Sequence, residues 1–201
     1  LQEPKDEKLI AMTTLTQSKD LRFKIIIPSY NTERWILKTL ESVESQEYRN
    51  FDVCIVDDSI GNEKQRSIIR DFCEAHNSKD NTWKYILNIE RRLAMHNIVS
   101  GIDNIACKDD DVIVNIDGDD WLYGKNVLDR VKLEYDKGAF MTYGQYISYP
   151  SMTIGHCAPY SKQTINSRNF RRDTWLLSHL RTYKYFLFKN INKNDFKRNG
   201  N

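Results

Sequence analysis

No apolar stretch in this chain of 201 residues approaches the roughly 20 that cross a bilayer, and no basic, apolar, small-residue pattern of a secretory leader opens it. No integral membrane segment is therefore expected. An excess of charge of one sign is lacking as well. Thirty Lys and Arg stand against 28 Asp and Glu, a net charge of +2, which argues for neither nucleic acid nor an anionic membrane as partner. Cys54, Cys73, Cys107 and Cys157 contain no C-x-x-C, and His76, His96, His156 and His179 show no ligand spacing, so a zinc site is not expected. Two of the cysteines lie in apolar-patterned segments, which predicts reduced thiols and a cytoplasmic location. Internal repeats and low-complexity tracts are also missing. Leu1 in place of Met points to a piece of a longer protein. Residues 1–21 read as a polar tail or linker, with Lys8–Leu15 as its one short helical pattern.

What the chain does have is a regular alternation of short apolar runs and amphipathic stretches. Phe23–Pro28 reads as a buried strand stopped by proline. Ser29–Thr32 is then a turn, with Asn31 or Thr32 as helix N-cap, and Trp35, Ile36, Leu40 and Val43 recur at helical spacing through Ser45. Strands follow at Asn50–Val56, Trp83–Leu87, Val112–Ile116 and Ala139–Tyr143, separated by helices at Asn62–Asn77, Glu90–Cys107 and Lys125–Asp136. This rhythm predicts an α/β fold, a doubly wound, mainly parallel sheet with helices on both faces. After Gly144 the pattern loosens. Residues 146–160 read as irregular or hairpin structure, and 166–191 as one or two basic, aromatic helices.

Acidic or basic groups fall where successive parallel strands would end: Asp57-Asp58, Arg91-Arg92 and Asp117-Gly-Asp-Asp120. Core packing has no use for three acids at the end of a buried strand, whereas a divalent cation neutralises such a cluster. Parallel strands bring these ends to one edge of the sheet, where ligands of open α/β folds bind. An Asp58 carboxylate suits the ring N–H of a uracil, Tyr30 offers a face for that base, and Arg91 or Arg92 can reach base or phosphate. A cation on Asp119, with Asp117 or Asp120 beside it, would stabilise a diphosphate as leaving group. Asp109-Asp110-Asp111 reads as a solvated turn. A calcium loop of the EF-hand kind is excluded, because Trp121 stands where an oxygen ligand is needed.

Taken together, Ile25-Ile-Ile-Pro-Ser-Tyr-Asn31, Leu40-Glu-Ser-Val-x-Ser-Gln46, Tyr48-Arg-Asn-Phe-Asp-Val-Cys-Ile-Val-Asp-Asp-Ser59 and Val114-Asn-Ile-Asp-Gly-Asp-Asp-Trp121 resemble the family 2 glycosyltransferases of the GT-A (Rossmann-like) fold, over roughly residues 22–145. The resemblance implies an inverting transferase that uses a nucleotide sugar, commonly a UDP-sugar, with Mn²⁺ or Mg²⁺. It implies Pro28 and Tyr30 lining the base pocket, Asp58 on the uracil and Arg92 reaching the base. Asp117 and Asp119 match the metal and ribose-diphosphate motif. Residues 22–145 would be the nucleotide-sugar-binding part and 146–201 the start of an acceptor-side part. The family's Gly-rich segment is replaced here by Glu90-Arg-Arg-Leu-Ala-Met-His-Asn97.

Inverting transfer needs a general base for the acceptor hydroxyl, and in this family it comes from a later segment. Asp173, expected in an Arg-rich helix, and Asp195, in a polar end, are not assigned that role, so the base is expected to lie outside this chain. His179, with Trp175 and Arg181, is read first as packing and surface and second as an acceptor-side group. The acceptor is open among glycan, protein, lipid and small molecule, and nucleic acid is not expected. The alternatives are a non-catalytic nucleotide-sugar-binding module or a sugar nucleotidyltransferase. The glycine-free turn Ser29-Tyr-Asn-Thr32 counts against the second of these.

Overall fold

A computed structural model describes residues 21–196. The expected tail, apart from Leu21, lies outside the described residues. Leu21 itself is buried, with its carbonyl accepting from the Tyr48 hydroxyl and the Asn50 amide.

The elements are β1 (Phe23–Ser29), α1 (Ile36–Glu44), β2 (Phe51–Asp57), α2 (Glu63–His76), β3 (Trp83–Leu87), α3 (Ala94–Asn104), β4 (Val112–Asn115), α4 (Val127–Asp136), β5 (Met141–Thr142), β6 (Ile147–Ser148), β7 (Thr153–Ile154), α5 (Lys162–Ser167), β8 (Arg181–Lys184) and α6 (Tyr185–Lys189). A six-stranded sheet runs in the order β3-β2-β1-β4-β8-β5, and β6 and β7 form a separate hairpin. Strands β3, β2, β1 and β4 are parallel, while β8 pairs antiparallel with both β4 and β5. The expected mainly parallel α/β sheet is therefore present.

Side chains alternate along a strand, and here both sets are covered. Phe23, Ile25, Ile27, Val53, Ile55, Val112 and Val114 pack with Ile36, Leu40 and Val43 of α1, Ile69 and Cys73 of α2, and Leu128 and Tyr135 of α4. The alternate residues Ile26, Cys54, Val56 and Ile113 pack with Ile102 of α3, Ile105 and Phe188 of α6. All four cysteines are free, and no helix among the described residues is long and apolar enough to cross a membrane.

Three local expectations are corrected. The third helix starts at Ala94, not Glu90, because Leu93 is held at φ 69° and the Arg92 and Leu93 amides turn toward Asp58. Neither Asn31 nor Thr32 caps α1 with its side chain: Asn31 has φ 53°, and the Thr32 hydroxyl pairs with Ser29 while its carbonyl accepts from Ile36. Residues 168–180 form no long helix. The chain instead returns as β8, which enters the sheet between β4 and β5, so the two expected parts of the domain share one sheet.

Asp111 is also not a solvated turn residue. It is buried, accepts the Lys108 amide and lies 3.6 Å from Lys24. Lys24 in turn bonds Asp52 at 2.7 Å, and Asp52 also takes Arg22 and the Thr82 amide. Burial alone would push the Asp52 carboxyl up, but its bonds from Arg22, Lys24 and Thr82 outweigh that and hold it far below the usual carboxylate range. A folded-state value below the unfolded one contributes stability above about pH 4 that is lost as pH falls. Asp52→Ala, which leaves Lys24 buried with only the more distant Asp111, is expected to cost about 3 kcal/mol in urea unfolding at pH 7 and to flatten the loss of stability below about pH 4.

Candidate active site

Strand register sets the level of every group at the open end of the sheet. Ser29 opposes Asp57, so Tyr30 and Asp58 are the next residues out on adjacent strands. Ile26 opposes Asn115, which places Asp117 level with Pro28, and the Gly118 amide donates to the Pro28 carbonyl at 3.0 Å. Asn115 opposes Arg181 in the antiparallel pair, so two residues further out Asp117 faces His179. The strand order reverses between β1 and β4, the switch point where a crevice opens in such sheets. A cleft of about 270 Å³ lies there, lined by Pro28, Ser29, Tyr30, Thr32, Asp58, Arg91, Leu93, Ala94, Asn97, Asp117, Gly118 and Asp119.

At one end of the cleft Asp58 is almost fully buried, and Asp57, expected beside it as a second free acid, is not part of the site. Asp57 is the last residue of β2, fully buried, and is spent on Gln65 at 2.5 Å and Arg66 at 3.3 Å. The same Gln65 amide reaches Ser29 and Ser59 and accepts the Thr32 amide, so α2 holds the turn that carries Tyr30. Asp58 accepts Asn88 at 2.6 Å and the amides of Arg92 and Leu93 at 3.0 and 2.7 Å. Burial raises its carboxyl, but these donors prevail and keep it ionised below the ordinary range. The Arg92 amide is shared between the two oxygens, at 3.1 and 3.0 Å, so the roughly four lone-pair sites of the carboxylate are all in contact with a donor.

Tyr30 is 44% exposed, with the Arg91 guanidinium 4.0 Å above its ring. The Arg92 side chain pairs instead with Glu90, and only its backbone reaches Asp58. The arginine that the cleft contains is thus Arg91.

At the other end is the loop Asp117–Asp120. Gly118 is required by packing, because a Cβ there would lie 2.9 Å from both Cβ and Oγ of Ser29. Thr39 of α1 donates to the Asp120 carbonyl at 2.7 Å and fixes the far side of the loop. His179 stands between two acids, Nε2 3.2 Å from Asp117 and Nδ1 3.1 Å from Asp120. Gly144 lets it stand there, since a Cβ would meet the Leu180 nitrogen at 2.8 Å and the His179 carbonyl at 3.0 Å.

One ligand atom each from Asp117, Asp120 and His179 lies within 4.8 Å of the others, a donor set that fits a divalent cation. Asp119 is exposed and lines the cleft beside this set. Asp173 accepts from the Thr164 hydroxyl and the Thr174 amide and is not among the cleft groups.

The hydrogen bond to Asp117 raises the His179 imidazole and outweighs burial and the nearby Arg181, while Asp117 itself is lowered. By NMR, without added metal, the His179 ring is expected to titrate above the ordinary 6.5 or so and to fall back toward it in Asp117→Asn. An unchanged midpoint in that variant would remove the pairing.

The sequence model of glycosyl transferase family 2 matches residues 24–192. The chain is 26% identical over 132 residues to "Glycosyltransferase GlyA" of Streptococcus pneumoniae, covering 65% of this chain and 17% of that protein. Over 40 residues it is 50% identical to "Amylovoran biosynthesis glycosyltransferase AmsB" of Erwinia amylovora, 20% of this chain and 13% of that one. Among solved structures, the mannosyltransferase PcManGT of Pyrobaculum calidifontis, in complex with GDP-Man and Mn²⁺, superposes with TM-score 0.60 at 20% identity, over 86% of this chain and 47% of its own. S. aureus TarS 1–349 with UDP-GlcNAc gives TM-score 0.60 at 20% identity, over 84% of this chain and 47% of its own. The chain spans under a fifth of these curated relatives and about half of these structures. A family model that covers all but the first residue of the sheet and both ends of the cleft settles the kinship: this chain belongs to glycosyl transferase family 2.

Proposed function

We propose that this chain is the donor-binding part of an inverting, metal-assisted glycosyltransferase whose donor is a UDP-sugar. One observation carries the reading: Tyr30 and Asp58 at one end, and Asp117 and Asp119 at the other, line a single cleft at the strand-order reversal. The base would lie against Tyr30 and Pro28, with its ring N–H on Asp58 in place of one of the two contacts that the shared Arg92 amide makes there. Arg91, already on the Tyr30 ring, would close over it, a role the sequence reading gave to Arg92. The neighbours' GDP-Man, UDP-GlcNAc and Mn²⁺ support a nucleotide sugar and a divalent ion in the same kind of cleft.

When bound, the cation would neutralise the diphosphate and let it leave as a stable anion. Asp117, Asp120 and His179 would hold it, with Asp119 beside them. An imidazole among the ligands favours Mn²⁺ over Mg²⁺, which prefers oxygen. His179 must then give up its proton, so metal affinity should fall at lower pH. In the transfer, the acceptor oxygen bonds to the anomeric carbon as its bond to the diphosphate oxygen breaks and the electron pair leaves with the diphosphate. The acceptor proton would pass to a base outside the described cleft residues, because Asp58 is committed to holding the 88–93 segment and Asp117 and Asp119 are assigned to the cation. That commitment also sustains the second reading, donor binding without turnover.

Calorimetry of UDP with and without Mn²⁺ tests the site. Binding is expected to be at least tenfold tighter with Mn²⁺, and Asp117→Asn or Asp119→Asn should remove most of that gain. Equal affinity in all these conditions would overturn it. Metal-dependent release of UDP from a UDP-sugar would favour the enzyme over the binding module.

A further inference from the structure

Three aromatic rings from distant parts of the chain meet beside the carboxylate loop. Trp35 precedes α1, Trp121 follows Asp120 directly, and Tyr149 lies in the turn between β6 and β7. Trp35 and Trp121 stack at 5.8 Å with 28° between their planes, and Tyr149 stands edge-on to them at 5.8 and 5.4 Å. None of the three belongs to either core cluster, and Tyr149 is 56% exposed. Large rings gathered at a surface without serving the core mark a place where something binds.

Two cations rest on these rings. Lys38 Nζ lies 3.6 Å from the Trp121 centroid and 4.8 Å from that of Tyr149, and the Arg34 guanidinium lies 4.6 Å from that of Trp35. Among the described residues neither has a carboxylate partner, in contrast to Arg22, Arg49, Arg66, Lys189 and Lys193. Ring stacking holds both charges at the rim and leaves their donors available to an anion.

The position is fixed relative to the proposed transfer site. Gly118 and Asp119 line the donor cleft, Asp120 faces His179, and the next residue is Trp121. Thr39, on the same helix as Lys38, is bonded to the Asp120 carbonyl. The platform therefore flanks the diphosphate end of the cleft, where the sugar would be handed over, and not the base end beside Tyr30. The indole faces are covered by each other, by Lys38 and by Arg34, which leaves the exposed Tyr149 ring for the C–H face of a sugar, while the unpaired cations select an acid on that sugar.

We propose that Trp35, Trp121 and Tyr149, with Arg34 and Lys38, form the acceptor subsite and that the acceptor is an acidic saccharide, one bearing a carboxylate or a phosphate. The acceptor role rests on the donor reading above; the saccharide site does not.

The test titrates the 201-residue chain, followed by tryptophan fluorescence, with tetragalacturonate against neutral maltotetraose, and with mannose 6-phosphate against mannose. UDP with Mn²⁺ is titrated in parallel. At least one acidic probe is expected to bind tenfold or more tighter than its neutral counterpart, and the pair that shows it identifies the acid. Arg34→Gln with Lys38→Gln should reduce that preference to less than threefold, and Tyr149→Ala should weaken acidic and neutral probes alike by fivefold or more. UDP affinity should stay within twofold in every variant, which reports that the fold is intact. No acidic preference, or a preference untouched by the double variant while UDP still binds, overturns the inference and leaves the donor site standing. Saccharide preference in a chain that binds no UDP overturns the acceptor role.

Discussion

Three carboxylates within four residues, Asp117, Asp119 and Asp120, repel one another at the end of a buried strand, and much of the local structure manages that repulsion. Asp117 and Asp120 are held on either side of the His179 ring. Gly118 and Thr39 pin the loop from two sides, which fixes the backbone that carries the acids. The two acids favour a proton on the imidazole, the Arg181 guanidinium 2.8 Å from Nε2 opposes it, and the same three side chains suit a metal.

The sheet does the positioning. Parallel β1, β2 and β4 end at one level, and antiparallel β8 starts at that level, which converts residues separated by as many as 89 positions in sequence into neighbours. Asp58 illustrates how a site residue can also be a scaffold. Its carboxylate draws the 88–93 segment across the top of the sheet and brings Arg91 over Tyr30. The buried Arg22–Lys24–Asp52–Asp111 cluster plays a separate role at the opposite end of the strands.

The parallel half of the sheet was legible in sequence, because β-branched runs such as Ile25-Ile-Ile27 and Val53-Cys-Ile-Val56 can hardly be anything but strands buried on both faces. Pro28, Tyr30, Asp58, Asp117 and Asp119, expected from the charge pattern at the strand ends and from the family resemblance, line one cleft. What failed was local. Arg91-Arg92 read as a helix start, because the pull of Asp58 on the next two amides is a contact across more than 30 residues. His179 read as one position in an aromatic helix, and Asp111 as a solvated turn. Only the antiparallel register of β8 against β4 shows His179 level with Asp117, and a four-residue strand of one Thr and one Tyr between two basic ends gives little period to read.

The central claim is that one cleft holds both a base and a metal-bound diphosphate. Crystals grown with UDP and Mn²⁺, measured at the manganese absorption edge, test it most directly. The account predicts a single anomalous peak within ligand distance of Asp117 and His179, with the uracil against Tyr30 and its ring N–H on Asp58. A peak away from the Asp117–Asp120 loop, or a base that leaves Tyr30 and Asp58 untouched, would contradict it.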